Sequence, residues 1–268
     1  MKEKNGHMGA TPEQERLTMI LNDNLFNLFK DKAEKIRVDM LCLGLGYTAV
    51  VTSDGGIGIA YTYFEDKKSC MLLNEAIDYE GRQASELLEK IKSDHPIDRS
   101  MALALVNALN YQYALQLPED ENNKIMFEQF KITKGTKVAM VGYFGPLIKR
   151  FEQREAVLDI LDQSRGLGRM ADFYKSLKNW ADVLFLTSTS ILNNSTEEIL
   201  ANVHAKVKTL MLGPSTPMVA RAFDHLPVHM LAGTVPLDKE RLLKTVRHGM
   251  GTPVLHKFSR KSYLALNI

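Results

Sequence analysis

The apolar and polar positions of this chain follow two different patterns, one before and one after about residue 120. In the first part, Leu17, Ile20, Leu21, Leu25, Leu28 and Phe29 recur at helical spacing. They follow Thr11-Pro12-Glu13-Gln14, where a threonine N-cap, a proline in the first turn and a glutamine completing a capping box predict a helix from Thr11 to about Glu34. Three strand-like runs come next: Ile36–Leu43, Tyr47–Thr52 and Ile57–Phe64, the last two joined by Ser53-Asp54-Gly55-Gly56, a hairpin signal. Helical patterns at Gln83–Ile91 and Asp98–Leu117 complete an α+β unit.

Pro118-Glu119-Asp120-Glu121-Asn122-Asn123 is polar and marks the expected boundary. The expected division is a disordered leader over 1–10, an α+β domain over 11–120 and a Rossmann-like α/β domain over 121–268. In the second part short apolar runs alternate with helical ones. Strands are expected at Val138–Gly142, Ala156–Leu161, Val183–Leu186, Thr209–Leu212 and, last, Val228–Ala232. Helices are expected from Pro146, at Asp172–Trp180, from Thr196, from Pro217 and at Lys239–His248. Continuously apolar strands with helical crossovers indicate a parallel sheet covered on both faces.

In such a sheet ligands bind beyond the carboxyl ends of the strands, so the loops there are the candidates. Gly142-Tyr143-Phe144-Gly145-Pro146 permits a tight turn or a close backbone approach but is not a GxGxxG fingerprint. Asp159 and Asp162 stand where a ribose-binding carboxylate would, and either could instead cap the next turn. Thr187-Ser188-Thr189, with Asn193, Asn194 and Thr196, places hydroxyls and amides beside a helix start, a suitable setting for a carboxylate or phosphate. Ser195 and Glu198 have the spacing of a capping box. In Gly213-Pro214-Ser215-Thr216-Pro217 the glycine allows a sharp exit and Thr216 can cap a helix beginning at Pro217. Gly233 and Thr234 form a fourth turn on this rim. Asn107 could reach a cleft between the domains, with packing against a backbone group as its alternative.

Composition narrows the rest. With Lys+Arg 34 against Asp+Glu 32, bulk charge gives no reason to expect a nucleic acid or a membrane surface as partner. No apolar run approaches the ~20 residues that span a bilayer, and the first residues lack the apolar core of a signal peptide. Two cysteines, Cys42 and Cys70, in apolar surroundings fit a reducing cytoplasm. None of the seven histidines belongs to an HExxH or similar metal motif, and there is no GxSxG or GxxxxGK[ST]. Glu75 is a possible carboxylate at the domain interface, with a solvated residue as its default.

Taken together, Gly142-Tyr143-Phe144-Gly145-Pro146, Thr187-Ser188-Thr189 with Asn193-Asn194-Ser195-Thr196, Leu212-Gly213-Pro214-Ser215-Thr216-Pro217 and Gly233-Thr234-Val235 resemble the heavy-metal chelation family of domains of unknown function. Gly44-Leu45-Gly46-Tyr47-Thr48-Ala49-Val50 and Ala104-Leu105-Val106-Asn107-Ala108 resemble its amino-terminal signatures. The resemblance implies an enolase-amino-terminal-like domain, a Rossmann-like domain and a ligand site in the cleft between them, with Tyr47 contributing. It also implies a heavy metal, or a small molecule loaded with one, as the ligand. The matching residues are glycines, hydroxyls and amides, which suit an anionic organic molecule better than a bare soft metal. Two alternatives stand beside this reading: an enzyme using S-adenosylmethionine or a nucleotide such as NAD, and a non-catalytic structural or regulatory subunit. The apolar stripe of the first helix would serve a core or a homodimer interface.

Overall fold

A computed structural model describes residues 20–64 and 78–266. The expected leader, the start of the first helix, Cys70 and Glu75 lie outside these residues. Strands β1 (Val38–Leu43), β2 (Tyr47–Thr52) and β3 (Ile57–Tyr61) form an antiparallel meander in the order β1-β2-β3. The Asp54-Gly55-Gly56 turn closes its second hairpin: Gly55 takes φ +81°, and Asp54 accepts from Thr52 Oγ1 at 2.7 Å. All six residues of β2 are buried, because the meander is covered on both faces.

On one face lie helix α1 (Ile20–Ala33) and helix α2 (Pro96–Leu109), which starts on a proline and buries eleven of its residues. Gly56 and Gly58 carry no Cβ where Ala104 O, Ala108 N and Ala108 O of α2 press against β3. The buried Arg99 of α2 donates through Nε to Leu192 O at 2.7 Å, tying this helix to the second sheet's loops. The other face, through Tyr47, Ala49, Val51 and Ile59, meets Leu242, Leu243 and Val246 of a helix from the far end of the chain.

The second sheet has the order β5-β4-β6-β7-β8-β9. Its strands are β4 (Lys137–Val141), β5 (Val157–Leu161), β6 (Val183–Thr187), β7 (Lys208–Leu212), β8 (Met230–Pro236) and β9 (Ser259–Ala265). The first five are parallel, and β9 pairs antiparallel with β8 from Met230↔Ala265 to Pro236↔Ser259. One face packs on α3 (Lys124–Gln129) and α4 (Gly145–Glu152), around Phe127, Phe151 and Phe185. The other packs on α5 (Met170–Asn179) and α6 (Thr196–Ala201) through Phe173, Leu177, Ile199 and Leu200. The last long helix is α7 (Lys239–Arg247). The chain therefore has the expected mixed α/β architecture: a mostly parallel sheet beside a smaller antiparallel one. Between β4 and β6 the winding reverses direction, and in doubly wound sheets that crevice is the usual place for a ligand.

Several local expectations are corrected. The parallel run does not end the sheet: β8 extends to Pro236, and β9 follows at its edge. Gly233 and Thr234 are therefore strand residues facing Ser262 and Lys261, not a turn. No helix begins at Pro217. Residues 217–219 are irregular, with Val219 N bonding to Pro217 O at 2.9 Å, and a short 3-10 turn spans Ala220–Phe223. The cause is tertiary: Asn110 Nδ2 donates to Met218 O at 2.9 Å and Asn24 Nδ2 to Ala222 O at 3.1 Å, taking carbonyls a helix would use. Thr216 Oγ1 accordingly caps nothing and has no partner among the described residues. The long helix to Leu117 instead stops at Leu109, and Tyr111–Ala114 forms a separate turn. Ser195 does precede α6, but its hydroxyl donates to Asn193 Oδ1 at 2.7 Å, and Glu198 accepts from Tyr174 Oη at 2.9 Å, so no capping box forms. Helix α3, which the sequence pattern does not predict, follows directly on the polar stretch Pro118–Asn123 expected as the boundary. Asp120 caps it, its two carboxylate oxygens accepting from Ile125 N at 3.1 Å and Met126 N at 3.0 Å.

Candidate functional site

At the carboxyl edge of the parallel strands is a cavity of about 540 Å3. Its walls come from both sheets: Tyr47 and Tyr61 from the meander, and the loops after β4, β6 and β7 with parts of β8 and β9 from the other. Each wall has a local reason for its shape. Gly142, at φ +90°, ends β4 and lets the following loop lie against Thr187, where a Cβ would come within 3.1 Å of the threonine Cβ. Phe144 then accepts from Leu147 N at 2.8 Å and Ile148 N at 3.0 Å, starting α4. Beside it the ring of Tyr143 is stacked on one face by the Arg165 guanidinium, 4.6 Å from its centroid.

After β6, Thr187 Oγ1 accepts from Thr189 N at 3.3 Å and lies 2.9 Å from Thr189 Oγ1. Two hydroxyls are thus paired at the cavity wall. Gly213, at φ +129°, ends β7 with the buried Ser188 hydroxyl where its Cβ would be, 2.7 Å away. Ser215 Oγ accepts from Tyr61 N at 2.7 Å and clips the meander to this rim. Tyr47 Oη lies 2.5 Å from Thr252 Oγ1, closing another side.

The electrostatic character comes from the chain's last part. Lys261 of β9 lines the cavity beside His256 and Ser262. Burial lowers the Lys261 pKa, and the Arg150 charge lowers it further, while Asp120 acts in the opposite direction. Asp120 makes no ion pair with it: its oxygens accept the α3 backbone N–H groups, and its own backbone N–H bonds to Lys261 O at 3.0 Å. Lys261 Nζ makes no hydrogen bond or ion pair with any described residue. His256 is pushed down to about 4 by burial and then by the Lys261 charge, so its ring is neutral at neutral pH. Its Nε2 lies 3.5 Å from Thr234 Oγ1. Ser262, 1% exposed, leaves its hydroxyl without a partner among the described residues.

Of the residues singled out from the sequence, Tyr47, Tyr143, Phe144, Thr187, Ser188, Thr189, Gly213, Pro214, Ser215, Gly233 and Thr234 meet at this cavity. Gly145 and Pro146 of the first loop line it too, whereas Gly142, Asn107, Asn193, Asn194, Thr196 and Thr216 do not. Gly142 lies behind the wall and acts through its backbone. Asn107 donates to Ile59 O at 2.9 Å and Ser215 O at 3.3 Å, which is the backbone-packing alternative. Asn193 accepts from Ser195 N and its hydroxyl, Asn194 accepts from Asn22 Nδ2 at 3.0 Å, and Thr196 bonds the buried Ser190 hydroxyl at 2.8 Å. Asp162 accepts from Arg165 N at 3.1 Å, the turn-capping alternative, and Asp159 sits within β5 opposite Ala139. Lys261, His256 and Thr252 were not found from the sequence: the basic run Ser259-Arg260-Lys261 hides a strand whose place only its pairing with β8 reveals.

Near Asn194, Glu197 has a structural role. Its Oε1 accepts from Leu21 N of α1 at 2.9 Å, and burial raises its pKa from 4.5 to about 7. A carboxyl whose folded pKa is raised contributes stability fully below 4.5 and loses it as pH rises through about 7. Glu197→Gln should escape this loss, equalling the native chain in acid and exceeding it by roughly 1–3 kcal/mol above neutrality. Urea midpoints measured on both sides of neutrality would check this; parallel pH profiles would count against it.

The site belongs to a doubly wound α/β protein with a hydroxyl-rich cavity at the sheet's carboxyl edge. Comparison with known sequences is more specific: the chain belongs to the DUF364 family, described as "Putative heavy-metal chelation", whose profile matches residues 125–265. A second profile of the same description, DUF4213, matches residues 26–110. An uncharacterized protein of Methanocaldococcus jannaschii is 20% identical over 91% of this chain and 95% of its own length. Two crystal structures share the fold, both of DUF364 proteins of unknown function. One, from Desulfitobacterium hafniense, has a TM-score of 0.75 at 20% identity over 93% of this chain and 98% of its own. The other, from Pyrococcus horikoshii, has a TM-score of 0.75 at 19% identity over 93% and 100%.

Proposed function

We propose that the cavity binds a small anionic organic molecule able to chelate a metal, at a cleft where two domains divided near Pro118–Asn123 meet. The observation that carries this reading is Lys261, a cation on the cavity wall that no described carboxylate meets in a direct ion pair. A buried charge is costly unless it is paired, and Asp120, whose charge acts on Lys261 without contact, makes its hydrogen bonds to α3. An anion would supply the missing partner, and the Thr187, Thr189 and Ser262 hydroxyls offer donors around it. The volume, about 540 Å3, is in the range of pockets for small organic ligands.

The donor set bears on how a heavy metal would be held. Among the described residues no cluster of three or more His, Cys, Asp or Glu side chains forms. The cavity offers hydroxyls, one amine, one imidazole, one carboxylate (Asp120) and one amide (Asn123), without thiolates. Soft metals prefer thiolate, so these residues fit a metal carried by an organic chelator rather than one ligated by side chains alone. What the chain contributes is a charge, a set of hydroxyls and an aromatic wall that orient the carrier.

Thermal unfolding in the presence of oxalate and of citrate tests this. A ligand at about 100 times its Kd stabilises by about 2.7 kcal/mol, which is several degrees for a chain of this size. No shift with either acid, together with a shift on adding S-adenosylmethionine, would overturn the reading in favour of a nucleoside-type ligand.

A further inference from the structure

We propose that Lys261 is also a covalent site, its Nζ condensing with the carbonyl carbon of a small oxo acid to form an imine. The inference rests on the reading that the cavity is the ligand site, and it names a substrate class: a carboxylic acid that also carries an aldehyde or ketone.

Three placements support it. Lys261 lies on the cavity wall, half-buried, with its amine unengaged by any described residue, so no ion pair has to be broken before it reacts. The groups around it are arranged asymmetrically. Arg150 of α4 contributes a positive charge, whereas the one nearby carboxylate, Asp120, has both oxygens accepting backbone N–H groups of α3. His256, following the short helix Thr252–Leu255, is neutral and supplies no negative charge to hold the ammonium form. Burial and Arg150 therefore both favour the free amine, the form that attacks carbonyls. The hydroxyls of Thr187 and Thr189 across the same cavity could hold the acid's carboxylate while the carbonyl faces β9.

The step balances without a redox partner. The amine lone pair forms a C–N bond as the C=O π pair moves to oxygen, and a proton passes from nitrogen to that oxygen. Loss of water from the carbinolamine then gives the imine. The two protonation states of the lysine serve the two roles: the ammonium pairs with a bound anion, and the amine bonds to a carbonyl.

Glyoxylate, an oxo acid, is the probe. The full chain is incubated with glyoxylate and cyanoborohydride near neutral pH, which converts any imine to a stable carboxymethyl-lysine, and modified lysines are mapped by peptide mass spectrometry. A lowered lysine pKa raises the free-amine fraction at neutral pH. Lys261 should accordingly label severalfold faster than exposed Lys178 and Lys206, and excess oxalate, which has no aldehyde or ketone, should protect it. If oxalate stabilises the chain but Lys261 labels no faster than the exposed lysines, the imine inference is overturned and the anion site stands. If oxalate neither stabilises nor protects and Lys261 labels like the others, both are overturned.

Discussion

Lys261→Met should bind oxalate or citrate about a hundredfold more weakly than the native chain. Methionine keeps much of the aliphatic length and removes the charge, so the change isolates the ammonium. Truncating one partner of a buried, hydrogen-bonded charge pair costs about 2–5 kcal/mol, and 2.8 kcal/mol corresponds to about a hundredfold. The fold should tolerate the substitution. Lys261 makes no side-chain hydrogen bond to lose, and its strand is held by backbone pairing from Met230↔Ala265 to Pro236↔Ser259. An apolar side chain would also relieve the burial of an unpaired charge, so thermal stability without ligand should be equal or higher. Isothermal titration of native chain and variant, with Lys178→Met as an exposed control, would measure the effect. Equal affinities would show that the cation takes no part in recognition.

The largest stability loss is expected from Gly58→Ala. Strand β3 lies against α2 so closely that an added Cβ would overlap Ala104 O and Ala108 N, both backbone atoms. Backbone cannot rotate aside as a side chain can, so either the helix or the strand must move. Overpacking of this kind costs about 1–3 kcal/mol and sometimes more; here the obstacle is a buried helix, which puts the cost at about 3 kcal/mol or above. The shift would also reach the cavity, because Asn107 of α2 bonds Ile59 O and Ser215 O, and Ser215 holds Tyr61. Gly58→Ala should therefore lower the urea midpoint and weaken oxalate binding together. Gly46→Ala, where a Cβ would meet nothing within 4 Å, is the control. A native-like midpoint for Gly58→Ala would mean that helix and strand separate more easily than their packing indicates.

Much of the architecture was legible because it depends on local periodicity. Continuously apolar runs at Val183–Leu186 and Thr209–Leu212 could be satisfied only by a sheet covered on both faces, and their abrupt polar endings located the ligand edge. Glycines 142 and 213 marked backbone turns there, and both adopt positive φ. Side chains that face the cavity from these loops, such as Thr187, Ser188 and Ser215, could be named because a loop's position follows from its strand.

Whether a given polar side chain faced the cavity or the protein was not legible. Asn193, Asn194 and Thr196 have the same chemistry as Thr187 and Thr189, yet they bond to neighbouring residues or to α1. Thr216-Pro217 has the local signature of a helix start, but Asn110, just after α2, claims Met218 O and no helix forms. For Asn194 and for Met218 the partner is remote in sequence, and local spacing carries no information about it; Asn193 and Thr196 are taken by nearby Ser195 and Ser190, which offer the same chemistry as a ligand would.

The sequence by itself determined the fold class, the family and the rim on which the polar loops converge, because these follow from periodicity and from short contiguous motifs. Tertiary structure alone decided the charge of the site. Lys261 enters through an edge strand more than forty residues after the loop at Gly213–Pro217, and the carboxylate that acts on it, Asp120, makes its hydrogen bonds to a helix start instead. Electrostatics depends on distance in space and on burial, and neither is written in the order of residues along the chain.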